Sequence, residues 1–171
     1  MIDKLNLKEI IFQLIPVFKE AGSIASELQK KGLEIKTKED LSPVTNGDLK
    51  VNELITAAIL KLTPGTKIIS EETVDLKEKN FEKNFWLIDP IDGTKEYIAG
   101  KDEYTINAAL VINTVPVVGL VGVPKKDRLF YSFGPGDSYL IEGSKVKKIK
   151  CEKQQPKGEI VALSSVVKPS D

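Results

Sequence analysis

Apolar side chains recur at helical spacing between residues 7 and 28, three or four positions apart, with polar residues between them. The pattern predicts a long helix that Pro16 kinks or bounds and that Gly32 ends. A second apolar stripe predicts another helix, with Asp48 as its N-cap and the Pro-Gly pair at 64–65 as its end. The polar stretch between the two helices predicts extended chain or a turn.

Short apolar runs separated by turn signals follow in the rest of the chain and predict strands. The run 67–70 leads into two glutamates, and the run 85–88 ends at Asp89. The stretch 104–124 contains no charged residue, but its first half alternates between two faces and Asn113-Thr114 favours a turn. We therefore expect two adjacent buried strands there and no transmembrane span. A charged loop or short helix is predicted over residues 73–84, and further strands over 129–133, 138–142, 145–150 and 160–163.

These elements predict one α+β domain over residues 1–171, in which two helices pack on a mostly antiparallel sheet. Lys and Arg number 25 and Asp and Glu number 25, so the basic excess typical of a nucleic-acid-binding protein is missing. The absence of histidine excludes Ser-His-Asp triads and histidine-ligated zinc or haem. The one cysteine, Cys151, excludes a disulfide framework and is compatible with a reducing cytosol. We expect a cytoplasmic protein, with contact to the inner face of a membrane left open.

Acidic residues are concentrated between Glu71 and Glu103, where ten of them stand against five lysines. Glu71 and Glu72 directly follow one predicted strand, and Asp89 ends another. Because the ends of adjacent strands bring carboxylates together, these like charges need a cation. Only oxygen ligands are available, which favours a hard divalent ion, Mg²⁺ first, with Mn²⁺ also open.

The hexapeptide Asp89–Thr94 carries the most chemical information in the chain. Its proline and glycine turn the backbone sharply, so that Asp89, Asp92 and the carbonyl of Ile91 can face one ion. The Asp-Gly-Thr segment at 92–94 would then open a helical turn through residues 95–97, whose free N–H groups cradle a phosphate, and the Thr94 hydroxyl could hold a water. A metal-activated water facing a phosphate is the arrangement for phosphate-ester hydrolysis. Asp-Pro and Asp-Gly are also common turn formers, so the hexapeptide alone leaves a purely structural turn equally open.

Three separated segments occur in a suitable order: a Lys-x-Asp-x-Ser-Pro-Val-Thr-x-x-Asp stretch at 38–48, Ser-Glu-Glu at 70–72, and Trp-Leu-Ile-Asp-Pro-Ile-Asp-Gly-Thr-Lys-Glu-Tyr at 86–97. With them the sequence resembles the inositol monophosphatase superfamily along all of its 171 residues. It is most similar to the CysQ-type 3′(2′),5′-bisphosphate nucleotidases, and Glu96 is the clue to that branch. The resemblance implies the N-terminal portion of a layered helix/sheet sandwich.

The same resemblance implies a Mg²⁺ site. Glu71, Asp89 and the Ile91 carbonyl would hold a first ion, and Asp89 would bridge to a second ion together with Asp92. Gly93 would bind the phosphate of a small-molecule ester through its backbone N–H. The substrate-binding set implied in this way is Glu71, Ile91, Asp92, Gly93 and Thr94.

Catalytic roles are implied for three of these positions. Glu71 and Thr94 would position the attacking water, and Asp48 would orient the Thr94 hydroxyl. The implied reaction is Mg²⁺-dependent hydrolysis of a nucleoside bisphosphate, 3′-phosphoadenosine 5′-phosphate, to AMP and phosphate. An inositol-phosphate phosphatase is the alternative within the same enzyme class.

Family members are longer, and a C-terminal Trp-Asp motif supplies them with another metal ligand. The only tryptophan here is Trp86, which leucine follows, so that motif is missing and the second ion lacks a ligand. We expect a C-terminally truncated relative: a fragment, an impaired or inactive chain that retains metal binding or a partner-binding role, or one half of a split enzyme. A homodimer or a complementing C-terminal fragment is therefore an expected partner.

Overall fold

The computed structural model describes residues 4–73 and 82–150 of the chain. The predicted strand over 160–163 and most of the predicted charged loop over 73–84 lie outside these ranges. The helices are α1 (Lys4–Lys31), α2 (Asn46–Leu62) and α3 (Thr94–Ile98). The strands are β1 (Ile35–Thr37), β2 (Pro43–Thr45), β3 (Lys67–Ser70), β4 (Phe85–Asp92), β5 (Thr105–Ile112), β6 (Val115–Val123), β7 (Arg128–Ser132), β8 (Ser138–Glu142) and β9 (Lys145–Ile149).

Seven strands form one sheet in which the spatial order follows the chain from β3 to β9. β3 and β4 pair in parallel, whereas every later neighbouring pair is antiparallel. β1 and β2 form a separate two-stranded sheet in the stretch predicted as extended chain. The predicted α+β class with a mostly antiparallel sheet is confirmed.

Both long helices pack on one face of the large sheet, α2 against β4 and α1 against β6 and β7. Their apolar stripes and the inward side chains of the strands form one core, within which Trp86 is completely buried. Pro16 does not bound α1: the helix continues past it, with Pro16 on the exposed side and the apolar stripe buried both before and after it. Gly32 ends α1 as predicted: its φ is +106°, and its N–H donates to the Leu28 carbonyl.

The opposite face of the sheet carries no helix among the described residues. Leu87, Ala109 and Gly119 stand side by side on it in cross-strand register, and Val121 and Phe130 continue it two positions further along. Leu87 is 49% exposed and Val121 39% exposed. We call these five residues the open face. No helix within the described ranges is long and apolar enough to cross a membrane.

Two predicted boundaries were wrong near the acidic residues. The N-cap of α2 is Thr45 and not Asp48, because the Thr45 side chain accepts from the N–H groups of Gly47 and Asp48 while the Asp48 carboxylate accepts from the Thr45 N–H in return. β4 does not stop at Asp89 but runs to Asp92, since a bulge between the two aspartates accommodates the intervening proline.

Candidate functional site

Four carboxylates from three separate elements meet where β3 and β4 end. Glu71 directly follows β3, and its N–H donates to the Ile88 carbonyl of β4 at 3.1 Å. This continuation of the parallel pairing carries Glu71 alongside Asp89, and Asp92 lies at the end of the same strand. Asp48 comes from the first turn of α2, which packs on β4. The structure therefore brings together the acidic residues that the sequence predicted.

The surroundings of Asp89 shift its pKa strongly. Its Oδ1 atom is buried and has no hydrogen-bond partner. Burial, followed by the negative charges of Glu71 and Asp92, raises the pKa of Asp89 to about 7. A carboxyl group in such surroundings either stays protonated or, as a carboxylate, binds a cation.

The donor set at this edge fits a hard divalent ion. It consists of carboxylate and carbonyl oxygens, and the unpartnered Oδ1 of Asp89 is an unused ligand atom among them. Within residues 4–73 and 82–150, no three acidic side chains are grouped as a ready metal-binding cluster. The residues that would hold Mg²⁺ are Glu71, Asp89 and Asp92, together with the backbone oxygen of Ile91.

Asp48 lies at the centre of a buried hydrogen-bond network. Its Oδ2 accepts from the N–H of Thr45 at 2.8 Å and from the Thr45 hydroxyl at 2.6 Å. Its Oδ1 is 3.4 Å from the hydroxyl of Thr94, which is also 3.1 Å from the Ile91 carbonyl. The capping box that starts α2 thus fixes the carboxylate that faces Thr94, so one residue serves both the helix and the candidate site.

The backbone between β4 and α3 turns at Gly93. Its φ is +97°, and a Cβ there would lie 2.8 Å from the Glu103 carbonyl oxygen, so only glycine fits without displacement. α3 starts at Thr94, as predicted. The Ile91 carbonyl, Gly93 and Thr94 are therefore held within one tight turn around Asp92.

Tyr97 fastens that turn to the rest of the molecule. Its hydroxyl donates to the Ala25 carbonyl of α1 at 2.6 Å, and its ring meets Tyr104 edge to face at 4.8 Å. Gln29 donates to the Tyr97 carbonyl at 2.9 Å. Burial raises the pKa of Tyr97 well above its usual range, so the phenol stays protonated and remains a donor. The sequence analysis placed Tyr97 in the motif without finding this anchoring role.

Lys38 approaches the site from the loop between β1 and β2. Its Nζ lies 2.9 Å from Glu72 and 3.4 Å from Glu71. The Glu72 side chain is 3% exposed, and burial raises its pKa while the bond from Lys38 works in the opposite direction. The lysine therefore stabilises a buried carboxylate beside the candidate metal ligands. The sequence analysis placed Lys38 at the start of a motif without predicting this ion pair.

Asn107 is a further polar group that the sequence analysis did not assign to the site. It stands opposite Asp89 in the β4–β5 register, and its Nδ2 donates to Asp92 Oδ2 at 3.3 Å. Its Oδ1 is buried without a partner. The available signal was an amide within an apolar strand, but its meaning depends on a register that the sequence does not give.

Comparison with known proteins identifies related sequences and related folds. Residues 6–171 match the inositol monophosphatase family. The 3′(2′),5′-bisphosphate nucleotidase CysQ of Escherichia coli K12 is 32% identical over 135 residues, which cover 78% of this chain and 54% of that protein. Its counterpart from Haemophilus influenzae is 28% identical over 148 residues, covering 85% and 55%. The chain thus spans about half the length of the curated relatives it matches.

A solved structure of CysQ from Bacteroides thetaiotaomicron superposes with a TM-score of 0.62 at 32% identity, covering 82% of this chain and 52% of that one. An IMPase/NADP phosphatase complexed with Mg²⁺ and phosphate superposes with a TM-score of 0.68 at 19% identity, covering 78% and 51%, and shows the shared fold. The match over residues 6–171, the α+β architecture and the similarity to CysQ proteins lead to one conclusion: the chain belongs to the inositol monophosphatase family.

Proposed function

We propose that this chain provides the metal-binding half of a Mg²⁺-dependent phosphomonoesterase. The observation that carries the proposal is the buried, unpartnered Oδ1 of Asp89 among the negative charges of Glu71, Asp92 and Asp48. A fold gains nothing from holding four carboxylates in this way unless a cation compensates them. The family membership supports the same conclusion.

The proposed Mg²⁺ ligands are Glu71, Asp89, Asp92 and the carbonyl oxygen of Ile91. Mg²⁺ bound to them supplies Lewis-acid polarisation of a phosphate oxygen and lowers the pKa of a coordinated water. The residues contribute preorganisation, because the β3–β4 pairing and the Gly93 turn hold their backbones in place before any ion binds.

Thr94 and Asp48 are proposed to handle the proton of the attacking water, together with Glu71. The Thr94 hydroxyl has one proton, which it donates to Asp48 or to the Ile91 carbonyl. In either case its oxygen lone pairs are left to accept a hydrogen bond from a water. Since the capping hydrogen bonds already hold Asp48, the hydroxyl is oriented without further ordering of the side chain.

The proposed substrate is 3′-phosphoadenosine 5′-phosphate, which is hydrolysed to AMP and phosphate. The similarity to CysQ proteins supports this choice. The backbone N–H groups of Gly93 and Thr94, together with Glu71, Ile91 and Asp92, are proposed to line the phosphate subsite. Inositol 1-phosphate is the competing substrate within the family. We further propose that the protein acts in the cytoplasm.

Phosphate release from both esters, with and without Mg²⁺, tests this proposal. We expect Mg²⁺-dependent release that prefers the nucleotide and disappears in the Asp92→Asn variant. A preference for inositol 1-phosphate would replace the substrate assignment and leave the phosphatase standing. If the folded chain binds Mg²⁺ but releases no phosphate from either ester, alone or complemented, the enzyme proposal fails and a metal-binding relative remains.

The open face bears on the partner of this chain. The curated relatives of this chain are about twice as long as the region that matches it, so each contains a further segment of about the same length. We propose that a polypeptide corresponding to that other half covers the open face and completes the second metal site. Leu87 and Val121, both substantially exposed, are the apolar anchors that such a layer would bury.

Mixing the chain with the separately produced C-terminal half of a CysQ relative tests the partner proposal. We expect a one-to-one complex with increased phosphate release, which Val121→Glu on the open face weakens. A stable homodimer that Val121→Glu dissociates would instead make a second copy the occupant. If the chain stays monomeric and does not bind the added half, the proposed partner is refuted.

A further inference from the structure

The further inference concerns Asn107, which lies in the middle of the sheet and outside the sequence motifs that suggested the site. Asn107 and Asp89 are directly opposed across β4 and β5, so their side chains lie on the same face as near neighbours. Each has an oxygen, Oδ1 in both cases, that is buried and accepts no hydrogen bond. Within the described ranges these two atoms are the only buried side-chain polar atoms without a partner.

Two unsatisfied acceptors at neighbouring positions are an unusual pairing, because buried polar groups in folded proteins are nearly always hydrogen-bonded. The charge of Asp92 fixes which way the Asn107 amide points. Its Nδ2 donates to Asp92 Oδ2 at 3.3 Å, and exchanging nitrogen and oxygen would set a carbonyl oxygen against a carboxylate. The oxygen of Asn107 therefore remains an acceptor that needs a donor or a cation.

A hydrated divalent cation satisfies both atoms at once. Its bound waters are strong donors, and the ion itself attracts carboxylate and amide oxygens. We propose that Asn107 is a positioning residue for the Mg²⁺ site, holding Asp92 through Nδ2 and accepting through Oδ1 a hydrogen bond from water in the hydration shell of the ion. The inference rests on the proposed function, since it gives Asn107 a role towards the same ion.

Titration of the full chain with Mg²⁺ alone, followed by calorimetry, tests the inference without using activity. Asn107→Ala should weaken Mg²⁺ binding about tenfold, the usual scale for losing a partner that orients a metal ligand. Asn84→Ala is the matched control. Asn84 also makes a side-chain hydrogen bond, accepting from the Asn113 N–H at 2.8 Å, but it precedes β4 at the opposite end of the strand. The control should bind Mg²⁺ within about twofold of the unchanged protein.

A purely structural role for Asn107 would lower thermal stability and leave the Mg²⁺ affinity unchanged. That result in a folded Asn107→Ala variant overturns the inference. If the alanine variant does not fold, Asn107→Ser, which keeps a short polar group, is titrated instead and decides by the same criterion. In phosphate-release assays the variant should need about tenfold more Mg²⁺ for half-maximal rate and should approach the full rate at saturation.

The outcomes separate this inference from the proposed function. If the unchanged chain binds no Mg²⁺, both are overturned. If the chain binds Mg²⁺ but hydrolyses neither ester, the proposed function fails, and the affinity of Asn107→Ala still decides the inference. If the chain is an active phosphatase and Asn107→Ala binds Mg²⁺ normally, the inference alone fails.

Discussion

Replacement of Gly47 by alanine should reveal how tightly the α3 turn is tied to the helices. A Cβ at position 47 would lie 2.5 Å from the Tyr97 hydroxyl oxygen and 2.8 Å from Cε1 of the same ring. Tyr97 is completely buried, so the ring has no free space into which it could move. The added methyl group must therefore displace the ring by about 0.7–1 Å to reach ordinary van der Waals separation.

The magnitude follows from three terms. Overpacking in a close-packed interior costs about 1–3 kcal/mol. Displacing the ring also disturbs the 2.6 Å bond from the Tyr97 hydroxyl to the Ala25 carbonyl, and leaving that donor unsatisfied costs about 1–3 kcal/mol. Alanine gains up to about 1 kcal/mol over glycine in a helix, which offsets part of the loss. We expect Gly47→Ala to lower the free energy of unfolding by about 2–4 kcal/mol.

Urea denaturation of Gly47→Ala, Tyr97→Phe and the double variant measures this effect. Because phenylalanine lacks the oxygen nearest to the new methyl group, the double variant should be more stable than the sum of the single changes predicts, by about 1–2 kcal/mol. Gly119→Ala is the control: nothing lies within 4 Å of its added Cβ, so it should not lower stability and should raise it by up to about 1 kcal/mol. If Gly47→Ala is as stable as the unchanged chain, the reasoning about Tyr97 is wrong.

Three further changes have defined outcomes. The first concerns Asp89, whose pKa in the folded chain is raised to about 7, so that the folded chain binds this proton more tightly than the unfolded chain. With metal ions removed by EDTA, the contribution of Asp89 should make stability fall as the pH rises from about 4 to about 7. Urea denaturation across this range should show the fall in the unchanged chain and not in Asp89→Asn. Trp86→Phe removes the 3.0 Å hydrogen bond from Nε1 to the Thr63 hydroxyl and part of a fully buried ring. It should lower the free energy of unfolding by about 2–3 kcal/mol in the same measurement. A decrease below about 0.5 kcal/mol would contradict the packing argument. Lys38→Met leaves Glu72 buried without its cation and should cost about 2–3 kcal/mol at pH 7.5. Because burial raises the pKa of Glu72, the loss should become smaller as the pH is lowered and the carboxylate takes up a proton; a loss that does not depend on pH speaks against an electrostatic cause.

Local patterns predicted the secondary structure well, because helical periodicity and turn residues act over a few positions. The positions of α1, α2 and the strands from β5 to β9 follow from them. The N-cap of α2 was misplaced because Thr45 and Asp48 are both good capping residues, and only the backbone geometry shows which one caps and which one reciprocates. β4 was predicted too short because a proline usually ends a strand. The bulge that accommodates Pro90 here depends on pairing with β5.

The candidate site was only partly predictable for a related reason. Glu71 and Asp89 are visible in the sequence because each follows or ends an apolar run, and Asp92 is visible because it belongs to the hexapeptide Asp89–Thr94. Lys38 belongs to a motif, but its contacts with Glu71 and Glu72 come from loop packing. Asn107 joins the site through cross-strand register, which leaves no local trace. Contacts between residues far apart in sequence are decided by the whole fold, so the motifs indicate the candidate ligands without showing which groups contact them.

The packing of α1 on β6 and β7 has a consequence for synthesis on the ribosome. Gly22 of α1 lies against Pro124, where a Cβ would come within 3.2 Å of the proline ring, so this helix meets partners made about a hundred residues later. At roughly 5–20 residues per second, the sheet-facing stripe of α1 stays without its partner for roughly 5–20 seconds after it is made. During that interval α2 can cover one side of the helix, and the other side is a natural target for a chaperone that binds apolar segments. Folding in the cell should therefore finish with α1 closing over β6 and β7, even though α1 is synthesised before both strands.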